Sequence, residues 1–240
     1  MTTTLALVAT LVVLAAVNLW VHVGPSRWQP VTGPLLAVGL LLLGRWAGLS
    51  WQQLGLGRDT LVPGLVWGGA AVALVVAGYA VGLAVPAWRG LFLDARHAVG
   101  PLRAARRAFV VVPLGVVVFE EVAFRGVLWG LVGVQHGTLW AAAVTSVLFG
   151  LWHVLPAVDG ARANAAGPDG ATGSRGAGRV APGILTRQVV GTVAFTALAG
   201  VVFAVLRQQS GSLLAPFLLH WATNGLGILA AAWAWTVHTK

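Results

Sequence analysis

This chain of 240 residues has no cysteine. Disulfides and thiolate metal sites are therefore excluded. Charge is scarce too: charged residues make up 9% of the chain, where a soluble domain carries roughly 25%. Acids are the rarest. The aspartates are Asp59, Asp94, Asp159 and Asp169, all in polar connecting segments, and the only glutamates are Glu120 and Glu121. No Lys or Arg precedes the first apolar run, which begins Met1-Thr2-Thr3-Thr4, so that run reads as a retained transmembrane helix and not a secretory signal. The formal net charge is +9, but the basic residues are scattered singly through loops with no dense cluster. That pattern excludes a nucleic-acid surface and suits topology determinants and contacts to anionic lipid heads. No internal repeat is visible.

What is abundant is apolar. Hydrophobic residues are 58% of the chain and the mean hydropathy is +0.86, which marks an integral membrane protein. A transmembrane helix needs ~20 mostly apolar residues. Segments of that kind fall at about 4–23, 33–50, 61–85, 108–133, 138–157, 186–206 and 212–237, which predicts an all-α polytopic bundle of about seven helices (six to eight). The segment at 108–133 holds both glutamates and Arg125, so it should face other helices. Pro216 should kink or split the last segment. Residues 86–107 carry five arginines among Leu91, Phe92, Leu93 and Leu102, the pattern of an amphipathic surface helix. Residues 157–185 are rich in glycine and alanine and read as a mobile insertion, or else as a lid over a site. The organisation is then an N-terminal region, 1–107, and a polar-bearing core, 108–240. The twelve tryptophans mostly fall near segment ends, as interface anchors.

Arginine placement orients the chain. The first, third and fifth loops hold Arg27, then Arg89, Arg96, Arg103, Arg106 and Arg107, then Arg162, Arg175, Arg179 and Arg187. The even loops hold only Arg45, Arg58 and Arg207. The positive-inside rule puts the odd loops and Lys240 in the cytoplasm and the N-terminus outside.

Two adjacent carboxylates in hydrocarbon are costly, by at least ~2.5 kcal/mol each. They repel one another, so a cationic partner or a raised pKa is expected. Arg125 lies one helical turn after Glu121 and on the same side. A structural ion pair is the bland explanation; acid/base chemistry is the functional one. Of six histidines, His22, His97, His136 and His238 lie at segment ends or in loops. His153 and His220 lie within apolar segments, and Asn224 follows His220 by one turn on the same face. A carboxylate can take a proton from water, a histidine can share that work or bind a metal, and an amide can donate to an oxyanion. The residues alone do not rank Glu120 over Glu121. There is no pair of histidines one turn apart flanking a glutamate, and no serine between elbow glycines. The inventory suits amide or ester hydrolysis. Glu120, Glu121, His153, His220 and Asn224 should line one cavity.

Three short runs carry a resemblance. Glu120-Glu121-Val122-Ala123-Phe124-Arg125 resembles the EExxxR motif of the CAAX-protease and bacteriocin-processing family of intramembrane proteases, also called type II CAAX prenyl endopeptidases or the Abi family. Phe149-Gly150-Leu151-Trp152-His153 resembles its FxxxH motif, and His220-Trp221-Ala222-Thr223-Asn224 its third motif. The resemblance covers about residues 119–225. It implies an intramembrane endopeptidase acting on a membrane-associated protein or peptide, with membrane lipids as the other partner. Glu120 would activate water with help from His153. His220 and Asn224 would stabilise the oxyanion, and Glu121 would orient the site through Arg125. A zinc ion, in a metal-dependent variant, would take its ligands from Glu120, His153 and His220. The Ala-, Val-, Gly- and Arg-rich composition points to a prokaryotic plasma membrane. Two other classes stay open: a non-catalytic scaffold or immunity protein that keeps the fold, and a proton-coupled transporter using the Glu/His groups as a relay.

Overall fold

An apolar run in lipid must satisfy its own backbone, and a helix does so within one segment. The computed structural model describes residues 2–23, 28–172 and 180–238, and is helical with no strand among the described residues. Helices α1, α2 and α3 are Thr2–Val23, Gln29–Trp46 and Leu61–Ala84. Helix α4 runs unbroken over residues 101–136. Helices α5, α6, α7 and α8 are Thr138–Trp152, Val154–Thr172, Pro182–Ser210 and Leu214–His238. Five stretches are long and apolar enough to cross a membrane: Thr2–Val21, Arg58–Ala84, Thr138–Gly167, Pro182–Ser210 and Leu214–His238. With α2 and α4 among them, a bundle of about seven helices fits the sequence reading. Arg27, Arg175, Arg179, Lys240 and the His22 side chain, named in that reading, lie outside the described residues.

Helix α4 is the hub. Every residue from 119 to 132 is buried, while α1, α3 and α7 expose side chains such as Val12, Leu74 and Phe195 to the surroundings. Glycine lets two of the contacts close. A Cβ on Gly33 of α2 would lie 2.2 Å from the Leu114 carbonyl oxygen of α4. A Cβ on Gly150 of α5 would meet the Ala197 Cβ and Val193 oxygen of α7 at 2.8 Å. Small residues at such crossings let backbones approach where lipid offers no hydrophobic drive between helices.

The hub is not regular. Helix α4 contains π-helical stretches at Arg107–Val111, Pro113–Val117 and Val122–Leu128, and α8 contains one at Ala222–Leu226. Pro113 lacks an N–H and crowds the carbonyl one turn back, which gives the first two a cause. Side chains from other helices dock on carbonyls of these stretches. The Trp221 indole donates to Ala108 O at 3.0 Å, the Arg207 Nε to Arg125 O at 3.1 Å, and the Tyr79 hydroxyl to Thr223 O at 2.6 Å.

Three expectations are corrected. Pro216 does not break α8, because it lies in the first turn, where its missing N–H is not needed. The irregularity comes later, at Ala222–Leu226. Residues 86–107 form no single amphipathic helix. They make 3₁₀ turns at Pro86–Phe92 and Ala95–His97 before α4 begins at Pro101, because Gly90, Gly100 and Pro101 interrupt the run. Much of the expected mobile insertion is helix α6, which breaks at Gly167 with φ 74°. Ala157 and Ala161 are buried one turn apart, and the Asn164 side chain accepts from Ala95 N at 2.9 Å, so α6 is docked on the connector before α4. Residues 173–179 of that insertion lie outside the described residues.

Candidate active site

Glu120 and Glu121 are neighbours on α4 and therefore point about 100° apart around the helix. The two carboxylates consequently meet different surroundings. Glu121 is 1% exposed. Its Oε1 accepts from Arg125 Nη1 at 3.2 Å and pairs with His220 Nδ1 at 2.7 Å, while Oε2 has no hydrogen-bond partner among the described residues. The expected Glu121–Arg125 contact is thus direct. Arg125 is fully buried, with its guanidinium carbon 4.1 Å from the Phe149 ring centre and 4.7 Å from that of Phe203. Aromatic faces and a carboxylate replace water around the cation.

Glu120 faces a large cavity of about 1090 Å³. Its Oε1 accepts from the Trp152 indole at 2.8 Å, and its Oε2, 3.6 Å from His220 Nε2, has no hydrogen-bond partner among the described residues. His153 and Asn224 line the same cavity. His153 follows the end of α5, and its Nδ1 lies 2.7 Å from the Phe149 carbonyl oxygen. A carbonyl only accepts, so Nδ1 carries the proton and the neutral ring keeps its lone pair on Nε2. The cavity rim holds Asp94, Arg96 and His97 from the connector before α4, and Asp159 and Asn164 from α6. Arg96 binds Asp94 through Nη2 at 2.6 Å. Burial pushes the Asp94 carboxyl up, but the Arg96 guanidinium outweighs it and leaves the carboxyl below its ordinary value. Burial pushes His97 down.

His220 does not line this cavity. It is 2% exposed and stacks on Phe203 with ring centres 5.0 Å apart. Its Nδ1 is at Glu121, and its Nε2 lies 3.6 Å from Glu120 Oε2. The expected single cavity for five residues is therefore corrected: Glu120, His153 and Asn224 line it, while Glu121 and His220 stand behind Glu120. The oxyanion role expected of His220 does not fit, since both ring nitrogens face carboxylates. His220 lies in the α-helical turn before the π stretch at Ala222–Leu226, which holds Asn224. A zinc site from Glu120, His153 and His220 does not fit either. Among the described residues no three His, Asp or Glu side chains gather as metal ligands, and His220 is already engaged at Glu121.

Sequence reasoning missed Trp152 and Phe203 as parts of the site, and took Phe149 only as a motif residue. It also missed Arg207, 5% exposed, which donates to Arg125 O and to the carbonyls of Gln52 and Gln53 at 3.2 and 2.9 Å. A buried arginine late in an apolar segment was the available signal.

The fold and the buried Glu–Arg–His cluster define a polytopic helical membrane protein with a polar centre of the kind hydrolases use. The chain belongs to the type II CAAX prenyl endopeptidase Rce1-like family, whose model matches residues 103–226. That match holds the Glu120 pair, Arg125, His153, His220 and Asn224. No curated protein and no solved structure matches the chain.

Proposed function

We propose that this protein is an intramembrane endopeptidase that hydrolyses a peptide bond of a membrane-associated protein or peptide. The observation that carries this is the placing of Glu120: its carboxylate is held by Trp152 through Oε1, stands 3.6 Å from His220 Nε2 through Oε2, and belongs to a residue that lines the large cavity beside His153. A water held in that cavity donates one proton to the Glu120 carboxylate and the other to His153 Nε2. Its lone pair is then turned toward the scissile carbonyl. On attack Glu120 takes the proton and passes it to the leaving amine. The Asn224 amide donates to the oxyanion. Glu121 and His220 are positioning groups. With His220 protonated, two carboxylates are balanced by a guanidinium and an imidazolium, and the buried cluster is neutral.

The cavity rim comes from the connector after α3 and from α6, an arginine-rich side of the chain. By the positive-inside rule it opens to the cytoplasm, in what the composition suggests is a prokaryotic plasma membrane. A second reading, a proton-coupled transporter, is favoured by one observation: His220 bridges Glu120 and Glu121. Proteoliposomes separate the two. Cleavage of a membrane-anchored reporter peptide by wild type, and its loss in Glu120→Gln, supports the endopeptidase. Proton-driven solute flux without cleavage sinks it.

A further inference from the structure

A second cavity lies toward the opposite end of the bundle, at the connectors after α2 and α7. It measures about 310 Å³, and its wall includes Leu56, Leu61, Val118, Val122, Leu213 and Phe217. Such walls suit an alkyl chain. One wall residue does not: Glu121, which is 1% exposed and belongs to the same lining. Arg125 and His220 both engage Glu121 Oε1, and among the described residues Oε2 has no hydrogen-bond donor. A buried carboxylate oxygen without a donor is costly. A hydrocarbon tail would leave that cost in place, whereas a molecule bringing one O–H would remove it.

We propose that this cavity is a binding site for a small apolar molecule with a hydroxyl group, an alkyl alcohol in chemical class. Its chain packs on the Leu, Val and Phe side chains, and its hydroxyl donates to Glu121 Oε2. The volume is at the lower end of the ~300–1,000 Å³ usual for small-molecule sites. Arg58, exposed on the rim, Thr60 and Ser212 are the other polar side chains in the lining. Glu120 and the large cavity lie on the other side of the Glu121–His220 contact, so this ligand and a peptide do not compete for space. The ligand acts on the first site through Glu121, which holds both Arg125 and His220. On the reading of Glu120 as general base, and resting on it, occupancy lowers kcat and leaves KM unchanged.

The test uses octanol bearing an alkyl diazirine, added to the full chain in proteoliposomes. Irradiation expels N₂, and the carbene left behind inserts into a neighbouring X–H bond, so no oxidant or reductant is needed. Peptide mapping by mass spectrometry reads where the label lies. The expected result is saturable labelling of residues 56–61, 118–122 and 212–217, displaced by excess octanol and not by octane. Leu61→Trp fills the mouth from an exposed wall position and should cut labelling about tenfold, equivalent to a loss of ~1.4 kcal/mol in binding. Leu35→Trp, an exposed position on α2, should leave labelling unchanged. Labelling that never saturates, or that octane displaces as well as octanol does, overturns the proposal. Because the readout is mass, a chain that cleaves nothing would still label. Intact labelling with unchanged turnover would overturn the coupling through Glu121, and a chain that labels but cleaves nothing would count against the Glu120 reading and not against the site.

Discussion

At the residue scale, the decisive fact is that Glu120 and Glu121 are adjacent yet differently employed. One lines the large cavity and is held by Trp152; the other is spent on Arg125 and His220. Arg125 is the counter-charge that makes a fully buried Glu121 tolerable. Arg125→Ala should therefore lower folded yield and activity together, by roughly 3–5 kcal/mol of stability, because it strands a buried carboxylate. Thermal unfolding in detergent and the yield of monodisperse protein check this; a normally folded, fully active Arg125→Ala chain would contradict it. The carboxylates, Arg125 and the two core histidines were legible in the sequence because polar groups in apolar runs stand out by cost alone. Trp152 and Phe203 were not, because an aromatic residue in such a run looks the same whether it anchors an interface, fills a core or holds a carboxylate.

At the element scale, α4 and α8 depart from a period of 3.6 near the site. Asn224 lines the large cavity while His220 stands behind Glu120, a division that motif spacing alone does not reveal. Helix α6 was hidden for a different reason. Alanines have no apolar pattern strong enough to distinguish a docked helix from a loose linker, although Ala157 and Ala161 are buried at helical spacing. Arg207 holds the Val122–Leu128 stretch by its bond to the Arg125 carbonyl and ties it to Gln52 and Gln53. Arg207→Met should cost about 2–3 kcal/mol, the scale of hydrogen bonds to a charged group, and lower kcat more than KM rises. Arg207→Lys, which keeps the charge and some of the bonds, should recover part of both. A kcat and KM unchanged in Arg207→Met would mean that this stretch does not position the site.

At the scale of the whole molecule, the two cavities belong to opposite ends of the bundle, and arginine placement orients them. The chain has no cysteine, so single cysteines report topology cleanly. Arg162→Cys, on exposed α6, should react with an impermeant maleimide only from the cytoplasmic side, and Leu56→Cys only from the other side. The reverse pattern would invert the orientation and place the large cavity outside. The central claim is that Glu120 and His153 act as one unit on one water. Its most direct measurement is turnover of a membrane-anchored reporter by Glu120→Gln, His153→Ala and the double variant, each first shown to match wild type in thermal stability. Each single change should lower turnover by ~10²-fold or more, and the double should be little worse than either, because residues acting as a unit are non-additive. Losses that multiply in the double variant, or a Glu120→Gln chain that keeps wild-type turnover, would contradict it.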